Sequence, residues 1–503
     1  MTRTALRRRT LLRAAGAGGL AALAGCSGSG DEDPTDGSEP TTTLLTTADG
    51  TSAMPTTRPG TETQSPAGTT TGGATVAEMD ATARDFVADL ASGDYEAARN
   101  AFSPDAREQV TAAQLEEVWT SLVGSAGRFV RLAETEHATV QGRDAIRATV
   151  QFRNARQVLV VVFDDGGAVA GFRLAGSPDP GESWSPPPYA DRDAFAETDL
   201  SLSANNSCTL PGTLTMPAGE GAVPGVVLVH GSGPTDRDGT FGPNKPLKDL
   251  AWGLASRGVA VLRYDKRTAA CRVDPTAVTI DDEVTDDALA ALDRLGRAER
   301  VSPSDTFVVG HSLGAMLAPR IAARAERLAG AVMLAPPARS LLDMQIQQHE
   351  YLANLDGTVT EPERERLRAV REAVERFRAG DVAADELVLN APARYWEGLA
   401  SYDQVETAAS LSRPLFIAQG GRDYQVTVED DYRRWRDALT RENVAFERYP
   451  DLNHLFMPGE GPPSPSEYYR PNHVAESVVA DVASWVHGVA GTAAGSGGDT
   501  SAE

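Results

Sequence analysis

The apolar positions of this chain change period along its length, and each change predicts a different kind of structure. From residue 76, Met79, Ala83, Phe86, Val87 and Leu90 recur at helical spacing, and Gly93 is placed to stop that helix. Tyr95, Ala98 and Phe102 continue a second helical face up to Pro104. Thr111 to Gln114 is a capping-box pattern ahead of Leu115, Val118, Trp119 and Leu122. The period then drops to two: Phe129 to Ala133, Ala145 to Phe152, Gln157 to Phe163 and Ala168 to Leu174 read as strands. Asp164-Asp165-Gly166-Gly167 supplies a hairpin turn between the last two. Helices followed by a meander predict a small α+β domain over 76–177. It carries no cluster of catalytic residue types, and His137 reads there as an ordinary polar or packing residue.

Prolines at 178, 180, 186, 187 and 188 interrupt both periods, so 178–197 is expected to be a stiff connector. Beyond it, Gly225 to Val229, Ala260 to Tyr264 and Thr306 to Val309 are continuous apolar runs separated by helical patterns such as Val284, Ala288, Leu289, Leu292 and Leu295. Fully apolar strands alternating with helices predict an α/β fold with a mostly parallel sheet, spanning 198–490.

The third of these strands runs into Gly310-His311-Ser312-Leu313-Gly314 and then an alanine-rich helical segment. This is G-x-S-x-G in a strand-turn-helix setting, where flanking glycines leave room for a strained turn that presents the serine hydroxyl. A serine alone is too weak a nucleophile at neutral pH and needs a base. Pro414 to Asp423 supplies a strand, a glycine turn and an acid; Phe446 to His454 supplies the last strand and a histidine. The order Ser312, Asp423, His454 assigns nucleophile, orienting acid and general base. Asp430 and Asp451 are rival acids, neither of which follows a strand through a glycine turn, and His473 is a rival histidine better placed to begin a helix. The oxyanion that forms at such a site needs two backbone donors: Leu313 by position, and Ser232 from the loop His230-Gly231-Ser232-Gly233, with Gly233 next in line.

Taken together, His230 to Pro234, Asp236-Arg237-Asp238, Gly242 to Pro246, Gly258 to Arg267, the elbow and Asn453-His454-Leu455-Phe456 resemble bacterial extracellular carboxylesterases of the EstD group, within the α/β-hydrolase superfamily. The resemblance covers about residues 199–487. It implies an α/β-hydrolase fold, hydrolysis of small-molecule esters through an acyl-serine without metal or cofactor, and acceptance of short acyl chains. The small domain at 76–177 resembles the cone-shaped nuclear-transport-factor-like modules and the small domains that precede secreted hydrolases. The same triad also serves serine peptidases, and a surface ligand-binding lipoprotein with secondary hydrolase activity is a third reading; a carboxylate pair near the site would favour an aminopeptidase.

The interval from Ser312 to Asp423 is longer than two strand–helix units need. Its helical, charged part, at about 336–403, is expected to form a cap over the site. The Arg/Glu face of Glu361 to Phe377 reads as solvated. The acidic cluster Asp281, Asp282, Glu283, Asp286 and Asp287 lacks metal-ligand spacing and reads as the carboxylate-rich start of a helix, so no metal site is expected.

The N-terminus reads differently. Arg7-Arg8-Arg9-Thr10-Leu11-Leu12, the short apolar run Ala14 to Gly25 and Leu23-Ala24-Gly25-Cys26 resemble a twin-arginine export signal over 1–26 ending in a lipobox. That implies lipid on Cys26 and anchoring at the outer face of the cell membrane, with no other membrane contact. The run is too short to span a bilayer. Residues 27–75 are Ser, Thr, Gly, Pro and Asp with few large apolar side chains, and read as a disordered tether; 491–503 reads as a disordered tail. In an exported protein Cys208 and Cys271 form either a disulfide or two buried thiols.

Charge completes the picture. A net charge of −24, from 71 Asp+Glu against 47 Lys+Arg, excludes a nucleic-acid partner. The basic side holds only three lysines, Lys245, Lys248 and Lys266. Acidity with so little lysine resembles haloarchaeal proteins; GC-rich coding explains the arginines but not the acidity. Lys245 and Lys266 fall in loops on the active-site side, which suggests a task that guanidinium cannot perform, with chance as the alternative.

Overall fold

The computed structural model describes residues 74–126, 128–140, 143–152, 156–175, 184–204 and 208–496. The expected signal, Cys26 and nearly all of the tether lie outside these residues.

The first unit is four helices against an antiparallel meander. α1 (Val76–Ser92) begins at a capping box, with the Thr75 N–H donating to the Glu78 carboxylate at 2.8 Å. It ends at Gly93 in the left-handed conformation, φ 81°. α2 (Tyr95–Asn100), α3 (Pro104–Gln109) and α4 (Ala112–Ala126) follow. Phe102 lies outside any helix, contrary to the periodicity. Ser103 precedes Pro104 and so leaves the helical region, and the Phe102 ring instead packs edge-on against Phe86, centroids 5.6 Å apart. Strands β1 (Phe129–Val140), β2 (Arg143–Phe152), β3 (Arg156–Phe163) and β4 (Val169–Ala175) pair in sequence order. Ile146, Ala148, Val150 and Phe152 alternate inward to meet Leu159 and Val161 and the helices. Arg128, just after α4, pairs with Asp356 of the second unit at 3.6 Å.

The second unit is an eight-stranded sheet. Its strands are β5 (Phe195–Ala204), β6 (Cys208–Pro217), β7 (Val223–Val229), β8 (Ala260–Tyr264), β9 (Val301–His311) and β10 (Gly330–Leu334), then β13 (Leu415–Gly420) and β14 (Val444–Tyr449), with β11 (Leu387–Val388) and β12 (Ala391–Pro392) forming a separate short ribbon. The order is β14-β13-β10-β9-β7-β8-β6-β5, with β6 alone running against the rest, antiparallel to both β8 and β5. The central parallel strands β7, β8, β10 and β13 are buried on both faces, whereas the edge strand β14 exposes Glu447 and Arg448. Val227, Val229, Leu262, Met333 and Ile417 enter one core; Val226, Leu228, Val261, Val332 and Phe416 enter the other. One face is covered by α5 (Pro246–Ala255) and, from the far end of the chain, α14 (Glu476–Ser496). The other is covered by α7 (Asp286–Gly296) and α8 (Leu313–Arg324), with the short α6 (Arg267–Ala270) between α5 and α7. This is the α/β-hydrolase fold.

Two boundaries differ from the sequence reading. β5 starts at Phe195, inside the stretch read as connector, and the described part of that stretch docks through Trp184. Trp184 stacks edge-on against Trp252, centroids 4.8 Å apart, and donates its Nε1–H to Asp249 at 2.8 Å. The prolines forbid helix but not docking. At the far end, the alanine-rich α14 continues to Ser496, beyond the expected start of the tail. Among the described residues no helix is long and apolar enough to cross a membrane.

Between β10 and β13 the chain forms four helices, α9 (Leu341–Asn354), α10 (Glu361–Ala379), α11 (Ala393–Ala400) and α12 (Gln404–Ser410), with α13 (Arg433–Ala438) following β13. Cys208 and Cys271 are joined as a disulfide, Cα atoms 6.2 Å apart, tying the start of β6 to the end of α6.

Candidate active site

The site lies at the carboxyl ends of the parallel strands, where successive loops converge. Ser312 sits between β9 and α8 with φ 53° and ψ −116°, a conformation that costs a non-glycine residue about 1–3 kcal/mol and is held by its surroundings. The Ser312 N–H donates to Leu334 O at the end of β10, 2.9 Å. The glycines at the elbow have separate reasons. A Cβ on Gly310 would strike the Gly314 carbonyl, and one on Gly314 would strike the carbonyls of Val229 and His230. The turn therefore packs backbone against backbone, as the motif predicts.

The loop after β13 brings Asp423 under the loop after β14. The His454 Nδ1–H donates to Asp423 Oδ2 at 2.6 Å, and both side chains are buried. Asp423 cannot turn away: Oδ1 accepts the backbone N–H groups of Gln425 at 2.8 Å and Val426 at 3.0 Å, and Oδ2 also accepts from Gln419 Nε2 at 3.1 Å. Ser312, His454 and Ser232 line one cavity of about 560 Å³. A Cβ on Gly231 would lie 3.3 Å from Ser312 Cβ, so the His230–Gly233 loop abuts the serine. Leu313 is the first residue of α8, where a helix leaves its amide without an intrahelical acceptor.

The rivals are occupied elsewhere. Asp430 accepts from Thr427 and Gln347, and Asp451 lies on the surface. His473 Nδ1 contacts Asp249 at 3.1 Å, ahead of α14. His137 pairs with Asp144 across β1 and β2, remote from the cavity.

Two sequence readings gain detail. The acidic cluster does begin a helical segment, and its carboxylates also take specific partners. Asp281 pairs with Arg320 and Arg324, Asp287 is buried against Arg267 at 2.6 Å, and Glu283 faces the cavity. The chain folds these carboxylates onto cations that sequence leaves far away. No group of three or more potential metal ligands is gathered among the described residues. The outward arginines of α10 do pair in solvent, such as Arg364 with Glu361 and Arg378 with Asp343, but Arg366 and Leu367 turn into the cavity.

The two singled-out lysines part ways. Lys245 Nζ donates to Asp238 at 2.9 Å within an ion cluster that also holds Arg263, outside the cavity wall. Lys266 is 1% exposed and donates to the Gly231 carbonyl at 2.9 Å. Sequence reasoning missed His311, whose Nε2–H donates to the His454 carbonyl at 2.8 Å. Nothing flags it, because the second position of the motif tolerates many residues. Burial, chiefly, and the neighbouring His454 push the His311 pKa down to about 3; burial and then Lys266 do the same for His230. Both rings are neutral at pH 7.

The wall is mostly apolar, with Phe241, Leu250, Met344, Leu352, Trp396 and Phe456 among its residues, and polar groups from α9 such as Gln345 and His349. A confined apolar chamber lined by an imidazole held by a carboxylate and by a strained serine suits acyl transfer.

Known proteins show which family the chain resembles. Residues 226–469 match the alpha/beta hydrolase family, and residues 83–172 match a protein family of unknown function, DUF3887. The chain is 39% identical over 403 residues to esterase EstD of Thermotoga maritima, covering 80% of this chain and 93% of that protein. Among solved structures, an esterase of Pyrococcus furiosus is similar at 18% identity and TM-score 0.38, over 61% of this chain and 98% of that one. Est1E from Butyrivibrio proteoclasticus is similar at 16% identity and TM-score 0.39, over 58% and 99%. Neither structural likeness carries the assignment, which rests on the extent of the match to EstD: the chain belongs to the alpha/beta hydrolase family, as a homologue of that esterase.

Proposed function

We propose that the protein is a serine carboxylesterase exported to the cell surface. The observation that carries the chemistry is the 2.6 Å contact between His454 Nδ1 and Asp423, beside a cavity onto which Ser312 opens. With Nδ1–H held by the carboxylate, Nε2 carries the lone pair that takes the proton from Ser312 Oγ as it attacks the ester carbonyl. The negative oxygen of the tetrahedral intermediate is received by the amides of Ser232 and Leu313. The imidazolium then protonates the departing alcohol, leaving an acyl-serine. Water, deprotonated by His454, attacks the acyl carbon and releases the acid with Ser312 regenerated.

Homology to EstD supports ester substrates, and the apolar wall supports small uncharged acyl or alcohol groups. An aminopeptidase would need a carboxylate available to a substrate amine. The two that line the cavity are committed: Glu283 to Lys266 and Tyr395, and Glu363 to the Thr360 cap. Export and lipid attachment at Cys26 rest on the Arg7-Arg8-Arg9 and Leu23 to Cys26 patterns, and the acidity of the chain fits a salt-rich exterior.

Turnover of p-nitrophenyl acetate and butyrate in molar KCl by the wild type and Ser312→Ala tests the chemistry. Wild-type turnover lost in the variant is expected, and equal rates would sink the mechanism. Cys26→Ala should shift the protein from membrane to medium; unchanged membrane retention counts against the anchor.

A further inference from the structure

Lys266 is one of the largest fully buried side chains of the protein and has no place in the triad. Its ammonium lies in a chain of contacts that begins in the cap. The Tyr395 hydroxyl, on α11, donates to Glu283 Oε2 at 2.7 Å. Glu283 Oε1 lies 3.1 Å from Lys266 Nζ and also accepts from Thr268 at 3.2 Å. Lys266 Nζ donates to the Gly231 carbonyl at 2.9 Å, and its backbone N–H donates to Thr235 O at 3.1 Å, clamping the loop after β7 to the loop after β8. The disulfide at Cys271 anchors the same segment from its other end.

The Gly231 carbonyl belongs to the peptide unit whose N–H is that of Ser232. In a trans peptide, C=O and N–H point in opposite directions from one rigid plane. A hydrogen bond that fixes the oxygen therefore fixes the direction of the amide. A positive charge at the oxygen end also draws electron density from nitrogen and makes the N–H a better donor to an anion. Glycines at 231 and 233 would otherwise let this plane rotate freely.

We propose that Lys266 is a positioning residue for the oxyanion site, holding and polarising the Ser232 amide, and that Tyr395 through Glu283 couples the cap to that donor. The inference rests on the esterase reading above. It also accounts for lysine at this position: a compact ammonium, buried at 1% exposure, brings its whole charge to one carbonyl and one carboxylate, which a planar, forked guanidinium does not do.

The test uses the full chain with Lys266→Gln, the charge-balanced pair Lys266→Met with Glu283→Gln, and Tyr395→Phe. Each is assayed on p-nitrophenyl butyrate and for inhibition by an aryl trifluoromethyl ketone, which adds to the serine and places an oxyanion where the intermediate's would be. Removal of a whole oxyanion donor costs about 10²–10³ in kcat; loosening one is expected to lower kcat about 10- to 100-fold in the first two variants. KM should stay within about threefold, and ketone affinity should fall in step with kcat. Tyr395→Phe should show the same pattern at about 3- to 10-fold. A merely structural role predicts a lower Tm with kcat per folded molecule unchanged. Wild-type kcat and ketone affinity in whichever of the first two variants folds overturns the positioning role, and wild-type values in Tyr395→Phe overturn the coupling to the cap. Ser312→Ala, run in parallel, separates the two levels: if it retains turnover the esterase reading falls, and if it is inactive while the Lys266 variants match wild type, only this inference falls.

Discussion

The carbonyl oxygen of His454 accepts a hydrogen bond from Nε2–H of His311 at 2.8 Å, with the two rings 4.8 Å apart. The residue beside the nucleophile thus holds the backbone of the base. Because Asp423 fixes the ring and His311 fixes the main chain, the imidazole keeps its place without substrate. His311→Leu should lower kcat about 10-fold or more with little change in KM, since near-attack geometry is lost and not binding. His311→Gln, which retains a donor, should recover part of it. Steady-state kinetics on p-nitrophenyl butyrate decide; equal kcat in the leucine variant and the wild type removes the role.

Asp423→Asn should be far more damaging. The amide can present N–H to Nδ1 and so favours the wrong imidazole tautomer, and in serine hydrolases of this design such a change costs about 10⁴ in kcat. Near-normal KM and a preserved fold by circular dichroism are expected beside that loss. A kcat within tenfold of wild type would mean that another acid serves His454.

Acidification should cost stability through two histidines. His230 and His311 have folded pKa values pushed down to about 3, against about 6.5 in an unfolded chain. Between these values the unfolded state binds protons that the native state refuses, so stability rises with pH through the window and is complete above about 6.5. The Tm difference between wild type and His311→Gln should therefore narrow as pH falls from 7.5 to 5, because the variant no longer has that proton to refuse. Thermal melts at several pH values check this, and a constant difference argues against a neutral buried His311.

The Cys208–Cys271 bridge closes a span of 63 residues. Its loss should destabilise the protein by about 4 kcal/mol if chain entropy dominates. Cys208→Ala with Cys271→Ala, followed by denaturant unfolding, measures it. Titration of denatured, unreduced protein lacking Cys26 should find no reactive thiol.

Salt should stabilise. At a net charge of −24, self-repulsion is screened as the Debye length falls from about 10 Å at 0.1 M to about 3 Å at 1 M. Tm in 2 M KCl is expected to exceed Tm in 0.1 M KCl, with activity retained; a lower Tm in high salt would remove the halophilic reading.

Much of the candidate site was legible because it is written locally. The elbow at 310–314 combines two glycines, a strand and a helix within a short span, and each glycine answers to a backbone clash next to it. Asp423 and His454 each follow a recognisable strand within a few residues. The strand termini moved where side chains outside the local window intervene. β5 pairs with β6 over ten residues although its alternation is interrupted by polar side chains, and Phe102 left its helix for a ring contact with Phe86.

The sequence by itself determined the fold class, the order of the candidate triad residues and the length of chain between Ser312 and Asp423, since period, turn chemistry and spacing act between neighbours. Only the tertiary structure decided which charges meet. Glu283 was one carboxylate in an acidic run, Lys266 one of three lysines and Tyr395 an unremarked cap residue. Their contact across 112 residues between Glu283 and Tyr395 depends on how helices pack over the sheet. Burial sets the value of such contacts, because a charge removed from water must find its partner, and no pattern along the chain states which partner the fold will bring.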